Sequence, residues 1–259
     1  MIGIPSVIFC IYKGGILFSI FISIVIILGL KEFIDILYNK KIYISKPLMI
    51  CSCAFLFLIR WLSYENFLEL HLFLIFLILI ISFLIEIFSD NKNSIESISM
   101  TLLGFTWIAL SLNYLIDIRN DQGFYFTFSI ILSVWACDTF AFVIGSAIGE
   151  KKILPKISPN KTWLGSIAGF FGSLILLFIL FNYFPVLKTK GFSNYDIIAF
   201  SFITGLMGQL GDFSQSLIKR QLQIKDTSEI LQGHGGILDR FDSLMFVVPL
   251  IYIYLYLWI

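Results

Sequence analysis

The sequence contains little charge. Charged residues make up 14% of its 259 residues, whereas a soluble globular domain carries about 25%. Hydrophobic residues reach 58%, and the mean hydropathy is +0.93. Since so few charged side chains cannot cover a surface in water, the composition excludes a soluble enzyme and a disordered chain. It predicts an all-α integral membrane protein with several transmembrane helices.

Cysteines and long polar segments are also scarce. The four cysteines lie in apolar runs, and Cys51 and Cys53 stand about 200° apart on a helix, so we expect no disulfide scaffold and no redox role. The longest polar stretch, residues 219–240, is too short for a soluble domain. The first apolar run lacks a preceding basic segment and a small-residue cleavage site, so we expect no cleaved signal peptide.

Apolar runs bounded by polar clusters predict about nine transmembrane helices. A bilayer core needs about 20 apolar residues per helix, and the first run is shorter than this. The nine runs are residues 4–12, 16–30, 47–62, 70–88, 98–116, 124–148, 163–184, 197–218 and 241–259. Alternate loops carry thirteen basic residues against four in the intervening loops. The positive-inside rule therefore places the N-terminus and the two long polar loops in the cytoplasm and the C-terminus outside.

Two acidic residues stand out inside these runs. A charge in a bilayer costs about 2.5–3.5 kcal/mol on insertion scales, so Asp138 and Asp212 are candidate functional residues. Glu86 has no polar neighbours, and we expect it to extend to the interface. If residues 212–220 are helical, Ser216, Lys219 and Arg220 share one face with Asp212. This stripe either neutralises a buried acid or forms the floor of a polar site.

The polar loops that flank these helices contain further candidates. Glycines at positions 233, 235 and 236 surround His234 and can present backbone N–H groups to an anion. Asp212 and Asp239 bracket this loop and can converge, and two carboxylates beside several cations suit Mg²⁺ with a polyphosphate. Asp242 either joins them or caps a helix. In the other loop, Lys161 is the better phosphate-binding candidate, after an N-cap and turn predicted at residues 158–159.

Several of these segments together resemble the phosphatidate cytidylyltransferase (CDP-diacylglycerol synthase) family. The segments are SLIKR at 216–220, Lys225-Asp226, GHGGILDRFD at 233–242, DTFAFVIG at 138–145 and SPNKTWLG at 158–165. Phe140, Leu164 and Gln232 differ from the residues usual in that family, but none replaces a candidate ligand. The resemblance covers about residues 130–250. It divides one integrated membrane domain into N-terminal helices, residues 1–120, and a C-terminal catalytic region, residues 121–259.

The resemblance implies a Mg²⁺-dependent nucleotidyltransferase that converts CTP and phosphatidate to CDP-diacylglycerol and diphosphate. Its active site would face the cytoplasm from a bacterial inner membrane. The expected partners are CTP, phosphatidate and the lipid bilayer, with no nucleic acid; a homodimer is left open. The assigned catalytic residues are Asp212, Lys219 and Asp239, with Asp212 and Asp239 as metal ligands, and the substrate-binding residues are Lys161, Ser216, Arg220, Lys225, His234, Gly235, Gly236 and Arg240.

Other functions remain open from the residues alone. A transporter would also place acids inside the membrane, but the polar residues crowd one membrane face and no internal repeat is visible, unlike many transporters. A different CTP-dependent lipid enzyme, such as a kinase of an isoprenoid alcohol, would use similar groups. That kinase would release CDP rather than diphosphate, because its attack falls on the γ-phosphorus.

Overall fold

The protein is almost entirely helical in a computed structural model that describes residues 3–61, 67–228 and 235–259. The first half of the chain forms the helices α1 (Gly3–Lys13), α2 (Gly15–Asn39), α3 (Lys46–Trp61), α4 (Phe67–Ile87) and α5 (Ser94–Leu103), followed by a π-helical stretch (Gly104–Leu110) and α6 (Ser111–Ile148).

A short hairpin separates these helices from the rest. The second half comprises β1 (Lys152–Leu154), β2 (Ser158–Thr162), α7 (Trp163–Tyr183), α8 (Pro185–Thr189), α9 (Asn194–Phe202), a π-helical turn (Ile203–Met207), α10 (Gly208–Gln221) and α11 (Leu238–Trp258). The strands β1 and β2 are antiparallel, with Lys152 opposite Thr162. The N-cap predicted at residues 158–159 is therefore wrong, because those residues lie in β2. Thr162 caps α7 instead, and its hydroxyl accepts from the Gly165 N–H at 3.1 Å.

Six helical runs in the described part of the chain are long and apolar enough to cross a membrane. One of them, Ser94–Ile148, has 55 residues; at 1.5 Å per residue a straight helix of that length would be about 80 Å long, far above the roughly 30 Å of a bilayer core. Gly123 breaks it with φ 80° and ψ −175°, between the predicted runs 98–116 and 124–148. The all-α membrane architecture is confirmed, whereas the count of nine spans stays a prediction because α1 and α3 are shorter.

Close packing of α6 against α7 depends on glycine. A Cβ at Gly165 would lie 2.6 Å from the Ala141 carbonyl oxygen and 2.9 Å from the Gly145 Cα. Small residues at such contacts let two membrane helices approach closely where no hydrophobic effect drives them together. This contact brings α6 beside the start of α7, and therefore beside the hairpin that precedes it.

A buried amide joins α7 to α10. Gln209 is 6% exposed, and its Nε2 donates to the carbonyl oxygens of Ser166 at 3.0 Å and Gly205 at 2.6 Å. The Ser166 hydroxyl donates back to its Oε1. Since its donor and acceptor groups are both hydrogen-bonded, this amide stabilises the contact between α7 and α10, three residues before Asp212.

The interhelical loops group at two ends of the bundle. At one end, Arg119 Nε donates to the Ile11 carbonyl oxygen at 2.6 Å, and Lys190 Nζ donates to the Asp121 carbonyl oxygen at 3.2 Å. At the other end, Arg220 Nε donates to the Ile157 carbonyl oxygen at 3.2 Å. Each of these contacts joins segments that the sequence assigns to the same side of the membrane, while the topology itself stays a prediction.

The glycine contact between α6 and α7 gives a test of the fold. Gly165→Ala should lower the stability by about 1–3 kcal/mol, because its Cβ would collide with backbone atoms that cannot move aside cheaply. The measurement is the thermal unfolding midpoint of the purified protein in detergent. Gly208→Ala is the matched control, since its Cβ would make ordinary contacts of 3.4 and 3.7 Å. An unchanged midpoint for Gly165→Ala would contradict this packing.

Candidate active site

A salt bridge between the hairpin and α10 marks the candidate site. Lys161 at the end of β2 pairs its ammonium with the Asp212 carboxylate, and both side chains are partly exposed. The same ammonium lies 4.4 Å from the centroid of the Phe213 ring. The N-terminal half of α10 thus meets the one lysine of the loop that the sequence singled out for phosphate binding.

Two more carboxylates belong to this cluster. Asp138 of α6 and Asp242 of α11 each interact electrostatically with Asp212 and with Lys161. Asp138 is exposed, and Asp212 and Asp242 are partly exposed. Lys161 is thus paired with Asp212 and lies within electrostatic range of Asp138 and Asp242, which come from two other helices. We call Asp138, Asp212 and Asp242 the acid cluster.

Gly211 explains why α10 and α11 bring their acids together. A Cβ at this position would lie 2.5 Å from the Asp242 carbonyl oxygen and 3.0 Å from the Ser243 Cα. Only a residue without a side chain permits this approach of the two backbones. The sequence thus places Asp212 directly after the residue that lets α10 contact α11 at Asp242.

Asp239 has a different environment. Its Oδ1 accepts from Lys219 Nζ at 2.7 Å. Its Oδ2 accepts from the N–H groups of Thr227 and Gly236, both at 3.0 Å, and from the Thr227 hydroxyl at 2.9 Å. Asp212 and Asp239 thus each have their own lysine, and the acids that interact with Asp212 are Asp138 and Asp242. That Asp212 and Asp239 share one ion stays a prediction.

The glycine loop is only partly described. His234, together with residues 229–233, lies outside the described residues. Gly235 has φ 74°, in the left-handed region that favours glycine. The Gly236 N–H, which the sequence offered to an anion, donates to Asp239 instead. A Cβ at Gly236 would overlap Thr227 Oγ1 and Glu32 Oε2.

The remaining predicted site residues that the structure describes lie outside the acid cluster and the Asp239–Lys219 pair. Ser216 lies on α10 one turn from Asp212, with 3.5 Å between its hydroxyl and Asp212 Oδ1. Arg220 reaches back to the hairpin through its contact with the Ile157 carbonyl oxygen. Lys225 and Arg240 are exposed. The sequence predicts one common face for residues 212, 216, 219 and 220. In the structure the two cations of this face contact different elements, Lys219 the helix α11 and Arg220 the hairpin.

Sequence reasoning missed Glu32, at the polar end of α2. Its side chain is 1% exposed. Oε1 accepts from the Ser228 hydroxyl at 2.6 Å and the Ile237 N–H at 2.8 Å; Oε2 accepts from the Leu238 N–H at 3.0 Å and lies 3.2 Å from the Thr227 hydroxyl. An acid directly after an apolar run was the available signal, but the adjacent Lys31 made it look like an ordinary loop charge.

The carboxylates offer hard oxygen ligands of the kind that Mg²⁺ prefers. Among the residues that the structure describes, no three His, Cys, Asp or Glu side chains are close enough to form a preformed metal cage. Mg²⁺ is commonly held by one or two carboxylates together with substrate phosphates. Three acids against one lysine leave an excess of negative charge that a divalent cation would neutralise, so the donor set fits this ion.

Known proteins resemble the chain over almost its whole length. The model of the family described as "Cytidylyltransferase family" matches residues 1–258. The chain is 32% identical to the phosphatidate cytidylyltransferase of Staphylococcus saprophyticus over 248 residues, which cover 94% of this chain and 91% of that protein. It is 32% identical over 254 residues to the protein of that name in Staphylococcus aureus (strain COL), with the same coverage, and 34% identical over 186 residues to the one in Bacillus subtilis, covering 71% of this chain and 66% of that protein.

The electrostatic balance of the acid cluster can be tested without any ligand. Lys161→Met should lower the thermal unfolding midpoint, because it removes the cation that faces three carboxylates. Asp212→Asn should restore part of the loss in the Lys161→Met background, with a coupling energy of about 0.5–3 kcal/mol. Lys156→Met, an exposed lysine of the same hairpin, is the control. Strictly additive effects of the two substitutions would show that Lys161 and Asp212 are not coupled.

Proposed function

The chain belongs to the cytidylyltransferase family, and on this premise we propose that it transfers the cytidylyl group of CTP to phosphatidate, giving CDP-diacylglycerol and diphosphate. The observation that carries the proposal is the convergence of Asp138, Lys161 and Asp242, from three separate signature segments, on Asp212 of α10. The curated relatives at 32% identity bear the name of this activity.

The reaction needs alignment more than base catalysis. A phosphate monoester such as phosphatidate has a second pKa of about 6, so its phosphate is ionised near neutral pH. One of its oxygens forms a bond to the α-phosphorus of CTP, while the bond between the α-phosphorus and the bridging oxygen of the leaving diphosphate breaks. The protein must hold the two phosphates in line and neutralise the charge that develops on the diphosphate.

The cationic side chains divide this work in our proposal. Lys161, Lys219 and Arg220 hold the triphosphate, and Lys225 and Arg240 flank the lipid phosphate. Ser216, His234, Gly235 and Gly236 complete the nucleotide site, the glycines by shaping the backbone. The contacts of two of these lysines support this division of roles, because Lys161 and Lys219 both lie against carboxylates at the polar end of the bundle.

A magnesium ion belongs to the same proposal. Asp212 and Asp239 are its proposed ligands; the acid cluster adds Asp242 and Asp138 as neighbouring carboxylates. Oδ1 of Asp239 accepts from Lys219 alone among its described contacts, so that oxygen retains a lone pair. When bound, the ion would supply positive charge to the phosphates of CTP.

We further propose that the site faces the cytoplasm at the inner membrane. The two basic loops that flank it, residues 149–162 and 219–240, carry four basic residues each, as cytoplasmic loops do. The lipid phosphate then reaches the site from the inner leaflet, and the acyl chains stay in the bilayer. Whether two copies of the chain associate does not enter this mechanism.

The activity is tested with purified protein in detergent, given CTP, phosphatidate and Mg²⁺. We expect diphosphate and CDP-diacylglycerol in equal amounts. Asp212→Ala and Asp239→Ala should each reduce kcat/KM by about 10³-fold or more, as loss of a group that stabilises developing charge does. Glu86→Gln, an acid near the end of α4 that bonds only to Ser89 and Asn91 in the described structure, is the control and should retain the wild-type rate.

The products of the same assay identify the competing functions. Release of CDP instead of diphosphate would indicate a lipid kinase. Absence of nucleotide turnover in detergent, together with solute uptake by the protein reconstituted in liposomes, would indicate a transporter. Either result would overturn the proposed reaction.

The metal requirement is tested by chelation. Treatment with EDTA should abolish turnover, and added Mg²⁺ should restore it, because the triphosphate charge is then neutralised again. Asp212→Asn and Asp239→Asn should raise the Mg²⁺ concentration needed for half-maximal rate, whereas Glu86→Gln should not. Comparison with Asp242→Asn shows which acid shares the ion with Asp212. Full activity in excess EDTA would contradict the metal site.

A further inference from the structure

Glu32 is a buried carboxylate from the N-terminal half of the chain, outside the segments that resemble a known signature. It contacts two chain segments on either side of residues 229–234: Thr227 and Ser228 before them, and the backbone of Ile237 and Leu238 after them. A charge that is 1% exposed is costly unless donors surround it. The Ser228 hydroxyl and the N–H groups of Ile237 and Leu238 donate to Glu32 and therefore hold both segments to α2.

Glu32 is linked to the proposed catalytic groups through a continuous chain of contacts. Thr227 Oγ1 lies 3.2 Å from Glu32 Oε2 and 2.9 Å from Asp239 Oδ2, so this hydroxyl stands between the two acids. Asp239 in turn accepts from Lys219 Nζ at 2.7 Å. The same acid also fixes the start of α11, one residue before Asp239, through the Leu238 N–H. The position of Asp239 thus depends on Glu32 along two routes.

We propose that Glu32 is a positioning residue for the nucleotide site: it holds Thr227 and the first turn of α11 in the register that places Asp239 against Lys219. This inference rests on the proposed function, because Asp239 and Lys219 are there assigned to Mg²⁺ and to the triphosphate of CTP. It gives the N-terminal helices a defined task in a reaction whose recognisable signature lies entirely in the C-terminal half.

The tight fit around Gly236 supports the same role. A Cβ at Gly236 would overlap both Glu32 Oε2 and Thr227 Oγ1. The segment therefore packs against the carboxylate with no room for a methyl group. Close packing of a backbone segment on a carboxylate restricts the register of that segment, as a supporting contact of a functional site must.

The test compares two variants of α2 with the wild-type protein by steady-state kinetics, with CTP and phosphatidate varied in turn. Glu32→Gln keeps the side-chain shape, but its amide nitrogen cannot accept from the Leu238 N–H. We expect KM for CTP to rise about tenfold, which corresponds to the loss of one hydrogen bond to a charged acceptor, while KM for phosphatidate and kcat change far less. Asp35→Asn, an exposed acid on the same helix, is the matched control and should behave as wild type.

A merely structural role would give a different pattern. It would lower the thermal midpoint and the active fraction, so that kcat would fall while KM for CTP stayed constant. That outcome, or a Glu32→Gln variant with the wild-type KM for CTP, would overturn the proposal.

Thr227→Val provides a second route to the same answer if Glu32→Gln does not fold. It removes the hydroxyl between the two acids and keeps the branched shape, so KM for CTP should again rise. Where Glu32→Gln folds, the effects of the two substitutions in the double variant should be less than additive. A wild-type KM in Thr227→Val would contradict the link. Failure of the proposed function would appear differently, as absence of CDP-diacylglycerol with the wild-type protein.

Discussion

A carboxylate that is buried away from bulk water needs hydrogen-bond donors, and this requirement determines the arrangement of the polar end of the molecule. Glu32 and Asp239 together receive N–H and hydroxyl groups from the chain on both sides of residues 229–234, and Asp239 also receives Lys219. Each acid would be unfavourable alone in an apolar bundle. Because the donors come from α10, α11 and the segment between them, satisfying the two charges also fixes how these elements meet. The hydrogen bonds that offset the cost of burying these acids therefore also form the site.

Close helix contacts supply the other half of this arrangement. Gly165 lets α7 approach α6, and Gly211 lets α10 approach α11. The first contact brings Lys161, two residues before α7, near the C-terminal half of α6, which carries Asp138. The second brings Asp212 near Asp242. Without a hydrophobic effect between helices in lipid, backbone approach and hydrogen bonds must provide the attraction. The acid cluster is a consequence of these two approaches, and the repulsion among its members is offset in part by Lys161.

Much of this organisation could be predicted from the sequence, and the failures have a physical pattern. Apolar runs locate the helices because a bilayer requires length and hydropathy, and charge in such runs singles out Asp138 and Asp212, which interact with each other in the structure. Which acids become neighbours depends on crossing points set by single glycines, and a linear pattern does not contain them. The sequence therefore left open whether Asp242 joins Asp212, as it does in the structure, while a shared ion between Asp212 and Asp239 stays a prediction. Glu32 escaped notice because its partners lie about 200 residues further along the chain. Ser158 failed as an N-cap because the hairpin extended by four residues to Thr162.

The pairing of acids with lysines has a consequence for how a nucleotide would enter under the proposed function. Lys161 and Lys219 each lie against a carboxylate in the protein alone. A triphosphate arriving with a divalent cation brings a competing partner for each: the phosphate oxygens for the ammonium groups, and the cation for the carboxylates. Exchange of partners leaves neither of these two lysines, and neither of the carboxylates paired with them, without a counter-charge at any stage. A lysine without its acid would bind phosphate more tightly but would retain diphosphate, and an acid without its lysine would hold the cation before the nucleotide arrives. The paired arrangement therefore favours binding of the metal and the nucleotide together and release of the product diphosphate.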